Sequence, residues 1–271
     1  MNSSKLKAAI YGLAIGDALG VPVEFMKRGT FEVKEMTGYG THDRPAGTWS
    51  DDTSMTIATC DSIRACGEVD VEDMRSRFCQ WLLYAKYTTD NEVFDAGVTT
   101  CDALRAGHGI DDYYANGNGS LMRIIPLAFT DADDKTITAV SAITHAHAIS
   151  TGICCQYVDI ARKLLEGRSL EEAVSACTGR IPGIHKLDSS EIQSTGFVID
   201  TFEAAIWALR TTDNFRDALL KAVNLGDDAD TVGAVAGGLA GIIYGMEGIP
   251  QEWIETLRGK EIIDRCLFEW Q

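Results

Sequence analysis

The sequence contains no Cys-x-x-Cys pair, although 8 of its 271 residues are cysteine. That spacing is the usual sign of structural zinc, and its absence argues against such a site. The start of the chain carries lysines but meets Asp17 early, so a secretory leader is not expected. The cysteines (Cys60, Cys66, Cys79, Cys101, Cys154, Cys155, Cys177 and Cys266) therefore read as reduced, mostly buried residues of a cytoplasmic protein. Positive charge is also short: 24 Lys and Arg face 40 Asp and Glu, leaving a net charge of −16. A binder of nucleic-acid backbone needs clustered Lys and Arg, so that class is argued against. The acidic excess suits divalent cations as partners, and equally suits simple solubility. Prolines number only 5. The longest apolar run, Val232 to Met246, is short and glycine-rich for a membrane span. Strand-like alternation is scarce, and Thr30 to Met36 is the best candidate for it.

What remains is helical periodicity over most of the chain. Ala8–Leu19, Ser54–Ala65, Val71–Tyr87, Thr151–Leu165, Ser169–Ala176, Thr195–Leu209, Phe215–Val223 and Thr231–Tyr244 follow it. The expectation is one all-α domain over residues 1–271, of roughly ten or more helices given a mean length of about 11–12 residues. Two of these helices carry small residues every fourth position. Gly12, Gly16 and Gly20 form one ridge, extending back to Ala8; Gly233, Gly237, Gly241 and Gly245 form the other. Each glycine costs up to about 1 kcal/mol in a helix interior. Close approach of a neighbouring backbone would offset that, so these two helices are expected to be central and tightly crossed.

Acidic residues gather in three places: Asp17 followed by Glu24, then Ser50-Asp51-Asp52-Thr53, then Asp227-Asp228-Ala229-Asp230-Thr231. The last two precede helical patterns, where one Ser or Asp normally caps the helix. Capping needs no adjacent carboxylate. Paired carboxylates repel unless protonated or bridged by a cation, and the neighbouring hydroxyls add neutral oxygen ligands. Such oxygen sets suit Mg²⁺, Mn²⁺ or Ca²⁺. The residues alone leave both readings open, surface caps or a metal site.

The ordered set GLAIGDALGVPVEF, GTWSDDTSM, FDAGVTT, GNGSLMRIIPLA, THAHAIST, STGFVIDTFEAAIWAL and NLGDDADTVGAVAGGLAG resembles the ADP-ribosylglycohydrolase family. The likeness runs from about residue 6 to about residue 246, most of the chain. It implies an all-α fold with two divalent cations, Mg²⁺ or Mn²⁺, at the bottom of a cleft. By that resemblance Ser50, Asp51, Asp52, Asp228, Asp230 and Thr231 would hold metal. Glu24 would stand close to the scissile bond and Asp95 would add a further acidic group. Asn118, Gly119, Ser120 and Met122 would wrap the ADP-ribose, and His145 would lie near its ribose or phosphates. Three positions depart from the family pattern: Ser50 stands where many members have threonine, which keeps the hydroxyl, Asp227 replaces a glycine and Ala229 a threonine. Asp227 would either point away or add charge near the metals.

The implied reaction is hydrolysis of the glycosidic bond between ADP-ribose and a modified protein side chain, arginine first, or a related small ADP-ribosyl conjugate. Glycoside cleavage commonly needs two carboxyl roles. Glu24 would activate water or protonate the leaving group, with Asp51 or Asp52 sharing the first task. Backbone N–H groups of the 117–120 loop would receive the diphosphate, with Arg123 nearby or merely structural. His147 reads as structural, and Cys154-Cys155 as buried core. Phe197 reads equally as substrate contact or core. The five tryptophans read as packing anchors. Gly117-x-Gly119 lacks the third glycine of a dinucleotide fingerprint, and Ser120 lacks a nucleophile elbow. The alternatives are a non-catalytic ADP-ribose-binding or structural member of the same fold, and a metal phosphoesterase. Neither membrane nor nucleic acid is expected as a partner, and nothing in the sequence assigns an oligomeric state.

Overall fold

The two glycine ridges meet. The computed structural model describes residues 2–177 and 191–270, and twelve α-helices lie among them. These are α1 (Asn2–Gly20), α2 (Asp51–Cys66), α3 (Val71–Tyr84), α4 (Val98–Ala106), α5 (Asp134–Ser141), α6 (Ala148–Leu165), α7 (Leu170–Cys177), α8 (Val198–Arg210), α9 (Phe215–Val223), α10 (Ala229–Gly248), α11 (Gln251–Thr256) and α12 (Lys260–Cys266). The most extensive helix pair is α1 with α10. A methyl group on Gly12 would lie 2.3 Å from the Gly237 carbonyl oxygen, and one on Gly16 would lie 2.0 Å from that of Gly233. Towards the other end, a methyl on Gly241 would reach 2.1 Å from the Ala8 oxygen. The helices therefore run antiparallel with their backbones in contact. Both are long and apolar enough to cross a membrane, yet most of each is buried inside the protein. Gly245 does not continue the ridge: its φ of 70° breaks α10 there.

The expectation of a strand at Thr30 to Met36 is not met, and no strand occurs among the described residues. The Asn224 side chain takes the place of a partner strand. Its Oδ1 accepts from Val33 N–H at 2.7 Å, and its Nδ2 donates to Val33 O at 2.9 Å. α3 ends at Tyr84 rather than Tyr87, because Ala85 turns left-handed at φ 53°. Trp49, Trp81 and Trp253 are fully buried anchors, and five of the eight cysteines are buried. This packing directs the starts of α2 and α10 to one place.

Candidate active site

The start of α2 is capped twice. Ser50 Oγ accepts from Asp52 N–H at 3.3 Å. Asp17 of α1, fully buried, accepts from Ser50 N–H at 2.9 Å, Thr53 N–H at 3.1 Å and Thr53 Oγ1 at 2.6 Å. Asp51 and Asp52 are thus surplus to capping, as their adjacency suggests. The start of α10 adds Asp228, Asp230 and Thr231, and Thr231 Oγ1 donates to Asp52 Oδ2 at 3.2 Å, joining the two motifs. Asn118 Nδ2 holds Asp228 Oδ2 at 2.8 Å. Oxygen atoms of Glu24, Asp228 and Asp230 lie within 4.8 Å of one another.

Two oxygens in this cluster, Asp52 Oδ1 and Asp230 Oδ2, are buried with no hydrogen-bond partner. Unpartnered buried carboxylate oxygens are costly. Burial raises Asp51, Asp52 and Asp230 well above the usual carboxylate range, and neighbouring carboxylates raise them further. Asp228 is raised as well, by burial. Carboxylates crowded this way, with Ser50 and Thr231 hydroxyls among them, form a donor set that fits hard divalent cations.

Beside the cluster opens a cleft of about 290 Å³. Glu24, Asp51, Asp95, Asn118, Gly119, Met122, His145, Asp228 and Thr231 line it. Ser50, Asp52 and Asp230 are buried behind that wall. Ser120 departs from the expectation: its hydroxyl accepts from Ser141 Oγ at 3.0 Å in the core, and it is not among the lining residues. The Asn118 N–H is likewise not free for a diphosphate, because it donates to Gly196 O at 3.0 Å. Arg123 is structural. Fully buried, it donates to Gly119 O, Val140 O and Thr144 Oγ1, and its guanidinium lies 4.7 Å from the Phe78 ring centre. His147 caps α6. His145 is held neutral: burial, then the Arg123 charge, pushes it down to about 3.

Burial and the Asp228 charge push Glu24 up to about 8. Burial and the Glu24 charge push Asp95 to about 8 as well. Near neutrality both carboxyls therefore hold a proton far more readily than an ordinary carboxylate.

Several cleft residues were not singled out from the sequence. His42 Nε2 bonds Glu24 Oε2, and its ring packs against Phe94 at 5.1 Å and Phe25 at 6.0 Å. The loop that carries His42 has left-handed residues on either side, Tyr39 and Asp43, which no periodicity reveals. The start of α4 faces the cleft through Val98, Thr99 and Thr100, and its N-cap, Gly97, supplies no side-chain cap. Phe197 is half-buried and, with Tyr113 and Tyr114, lines a hollow of about 390 Å³ that shares Gly117 and Gly196 with the cleft. The Asp227 alternative resolves simply. Asp227 is exposed, and its backbone is left-handed at φ 54°, pairing with Phe25 and Met26. Glycine would fit there without strain, and aspartate tolerates it.

Fold and site define an all-α protein that gathers helix-end carboxylates beside a glycine-lined ligand cleft. The chain belongs to the ADP-ribosylglycohydrolase family, whose model matches residues 2–270. It is 36% identical to the ADP-ribosylarginine hydrolase Tri1 of Serratia proteamaculans, over 96% of this chain and 76% of the relative. It is 33% identical to the ADP-ribosyl-[dinitrogen reductase] glycohydrolase of Rhodospirillum rubrum, over 92% and 88%. A solved structure described as an ADP-ribosylglycohydrolase-related protein complex superposes with a TM-score of 0.81 at 30% identity, covering 98% of this chain and 97% of that one.

Proposed function

We propose that this protein is a divalent-cation-dependent hydrolase that cleaves the glycosidic bond between ADP-ribose and an arginine side chain of a modified protein, or of a small ADP-ribosyl conjugate. The observation that carries this reading is the pair of partnerless oxygens, Asp52 Oδ1 and Asp230 Oδ2, buried beside Glu24 and Asp95, whose carboxyls burial raises. The arginine linkage is taken from the relative named an ADP-ribosylarginine hydrolase. Ser50, Asp51, Asp52, Asp228, Asp230 and Thr231 hold two Mg²⁺ or Mn²⁺ ions. When bound, such ions supply Lewis acidity and lower the pKa of water.

The chain's own groups do the rest. Glu24, steadied by His42, passes a proton to the leaving nitrogen or takes one from water. Such help is typically worth about 10²–10⁴-fold. Asp95 stores the proton between turnovers. The uncapped start of α4 receives the diphosphate, because free N–H groups and the helix dipole favour an anion there. That lets an acidic protein bind an anion without a basic patch in the cleft. Neutral His145 shapes the floor rather than pairing with charge.

The test is ADP-ribose release from an arginine-ADP-ribosylated protein, with Mg²⁺ and again with EDTA. Release that stops with EDTA, and that drops at least about 10²-fold in Glu24→Gln, is the expected result. ADP-ribose binding without release from any linkage would leave a binding protein of the same fold. Release of AMP instead would make it a phosphoesterase.

A further inference from the structure

A second cavity, of about 630 Å³, lies along α2 beyond the metal-type cluster. Asp61 and Arg64 of α2 form part of its wall, ten or more residues after Asp51, so about 15 Å or more along the helix. Its electrostatics run against those of the whole protein. Three cations, Arg64, Lys86 and Arg265, line it with one carboxylate, Asp61. Asp61 is already shared. Its Oδ1 accepts from Arg64 at 2.7 Å, and its Oδ2 accepts from Tyr87 Oη at 2.9 Å and from the half-buried Arg77, with the Lys86 ammonium 3.9 Å away. Arg265 has no ion-pair or hydrogen-bond partner among the described residues. A net positive cavity in a chain of net charge −16 concentrates anions that the remaining surface repels.

A second, independent observation marks the same place. Among the described residues, eight non-glycine residues hold positive φ. Phe25 and Asp95 line the cleft, Asp227 pairs with Phe25, and Tyr39 and Asp43 flank His42. The remaining three line this cavity: Ala85 (φ 53°) is the cap that ends α3, and Tyr87 (φ 73°) and Asn91 (φ 57°) lie in the strap beyond it. Such backbone gathers at ligand sites, where the surroundings over-determine it. Here the strap is held at both faces of Tyr87: Trp49 Nε1 donates to its carbonyl at 3.2 Å, and its hydroxyl binds Asp61. Tyr84, 78% exposed, offers an aromatic face at the same opening.

We propose that this cavity binds a phosphate-bearing small molecule carrying two or more negative charges. Guanidinium forks match phosphate oxygens in geometry. The volume suits a ligand up to nucleotide size. The site is distinct from the ADP-ribose cleft, and the inference does not rest on the hydrolase reading.

The test is calorimetric titration of the full-length, metal-free protein with inorganic tripolyphosphate and with ATP. Tripolyphosphate is expected to bind without competition from ADP-ribose. The exchange Lys86→Gln with Arg265→Gln is expected to weaken that binding at least about tenfold. Both side chains lie at the surface, so the melting temperature reports whether the fold holds, and Arg265→Lys alone, which keeps the charge but not the fork, is expected to weaken binding less than the double exchange does. Tighter binding of ATP identifies a nucleotide as the ligand; equal binding identifies the phosphate group alone. Unchanged affinity in the folded double variant, full displacement by ADP-ribose, or no binding up to about 10 mM overturns the proposal.

Discussion

Gly16 and Gly233 meet backbone to backbone, so that a methyl group on either would lie 2.5 Å or less from the other's carbonyl oxygen. Alanine normally gains up to about 1 kcal/mol over glycine inside a helix. Here the obstructing atoms are backbone, which cannot rotate away. Gly16→Ala should therefore lose stability, by about 1–3 kcal/mol or more from overpacking. Gly152 of α6 is the contrast, since a methyl there meets nothing within 4 Å. Gly152→Ala should be neutral or gain up to about 1 kcal/mol. Urea unfolding of both variants checks the pair. Equal stability in the two would refute the close-packed interface.

The ridge was legible because small residues every fourth position have few other uses in a soluble helix. The surplus carboxylates at Asp51 and Asp52 were legible for a similar reason: a cap needs one acceptor, and Ser50 and Asp17 already supply it at the start of α2. The His42 contact with Glu24 was not legible. It depends on left-handed turns at Tyr39 and Asp43, where neither residue type nor spacing announces the conformation. Nor was the loss of the Thr30–Met36 strand, because a distant side chain, Asn224, satisfies that backbone. The helices α4, α5, α11 and α12 were not read from the periodicity, although α7 and α9, no longer than α4 and α5, were. Ser120 shows the limit of a motif. The resemblance puts it in the substrate loop, while its hydroxyl faces Ser141 in the core.

The crowded carboxylates give the metal-free protein a defined pH dependence. Glu24 and Asp95 are raised to about 8 and Asp17 to about 6 in the fold, against about 4 in an unfolded chain. Between about pH 4 and 8 the folded state then binds more protons than the unfolded one. Stability from these groups is fully present below the unfolded value and is lost as pH rises through the folded values. The melting temperature of EDTA-treated protein should fall from pH 5 to pH 8, and Mg²⁺ should restore it. Saturation at a hundred times Kd contributes about 2.7 kcal/mol. Asp230→Asn should melt higher than wild type without metal and respond less to Mg²⁺. A melting temperature that rises with pH, or an unaltered Mg²⁺ response in Asp230→Asn, would contradict the assignment.

The loop at Gly119 offers a test aimed at binding rather than folding. A methyl group there would lie 2.8 Å from His145 Cε1 and 2.9 Å from Thr100 Oγ1. Neither neighbour retreats easily, since His145 is buried and its Nδ1 is bonded to Thr144 Oγ1 at 2.8 Å. The loop itself must shift, and with it Asn118, which holds Asp228. Gly119→Ala should weaken ADP-ribose binding by about tenfold or more, a loss near 1.4 kcal/mol. Replacing the obstructing ring should relieve the clash. In the His145→Ala background, Gly119→Ala should therefore cost less than it does alone, a non-additivity expected of residues in contact. Titration calorimetry with ADP-ribose on the four proteins of this cycle measures the coupling. Strict additivity would mean that the His145 ring does not set the shape of the loop.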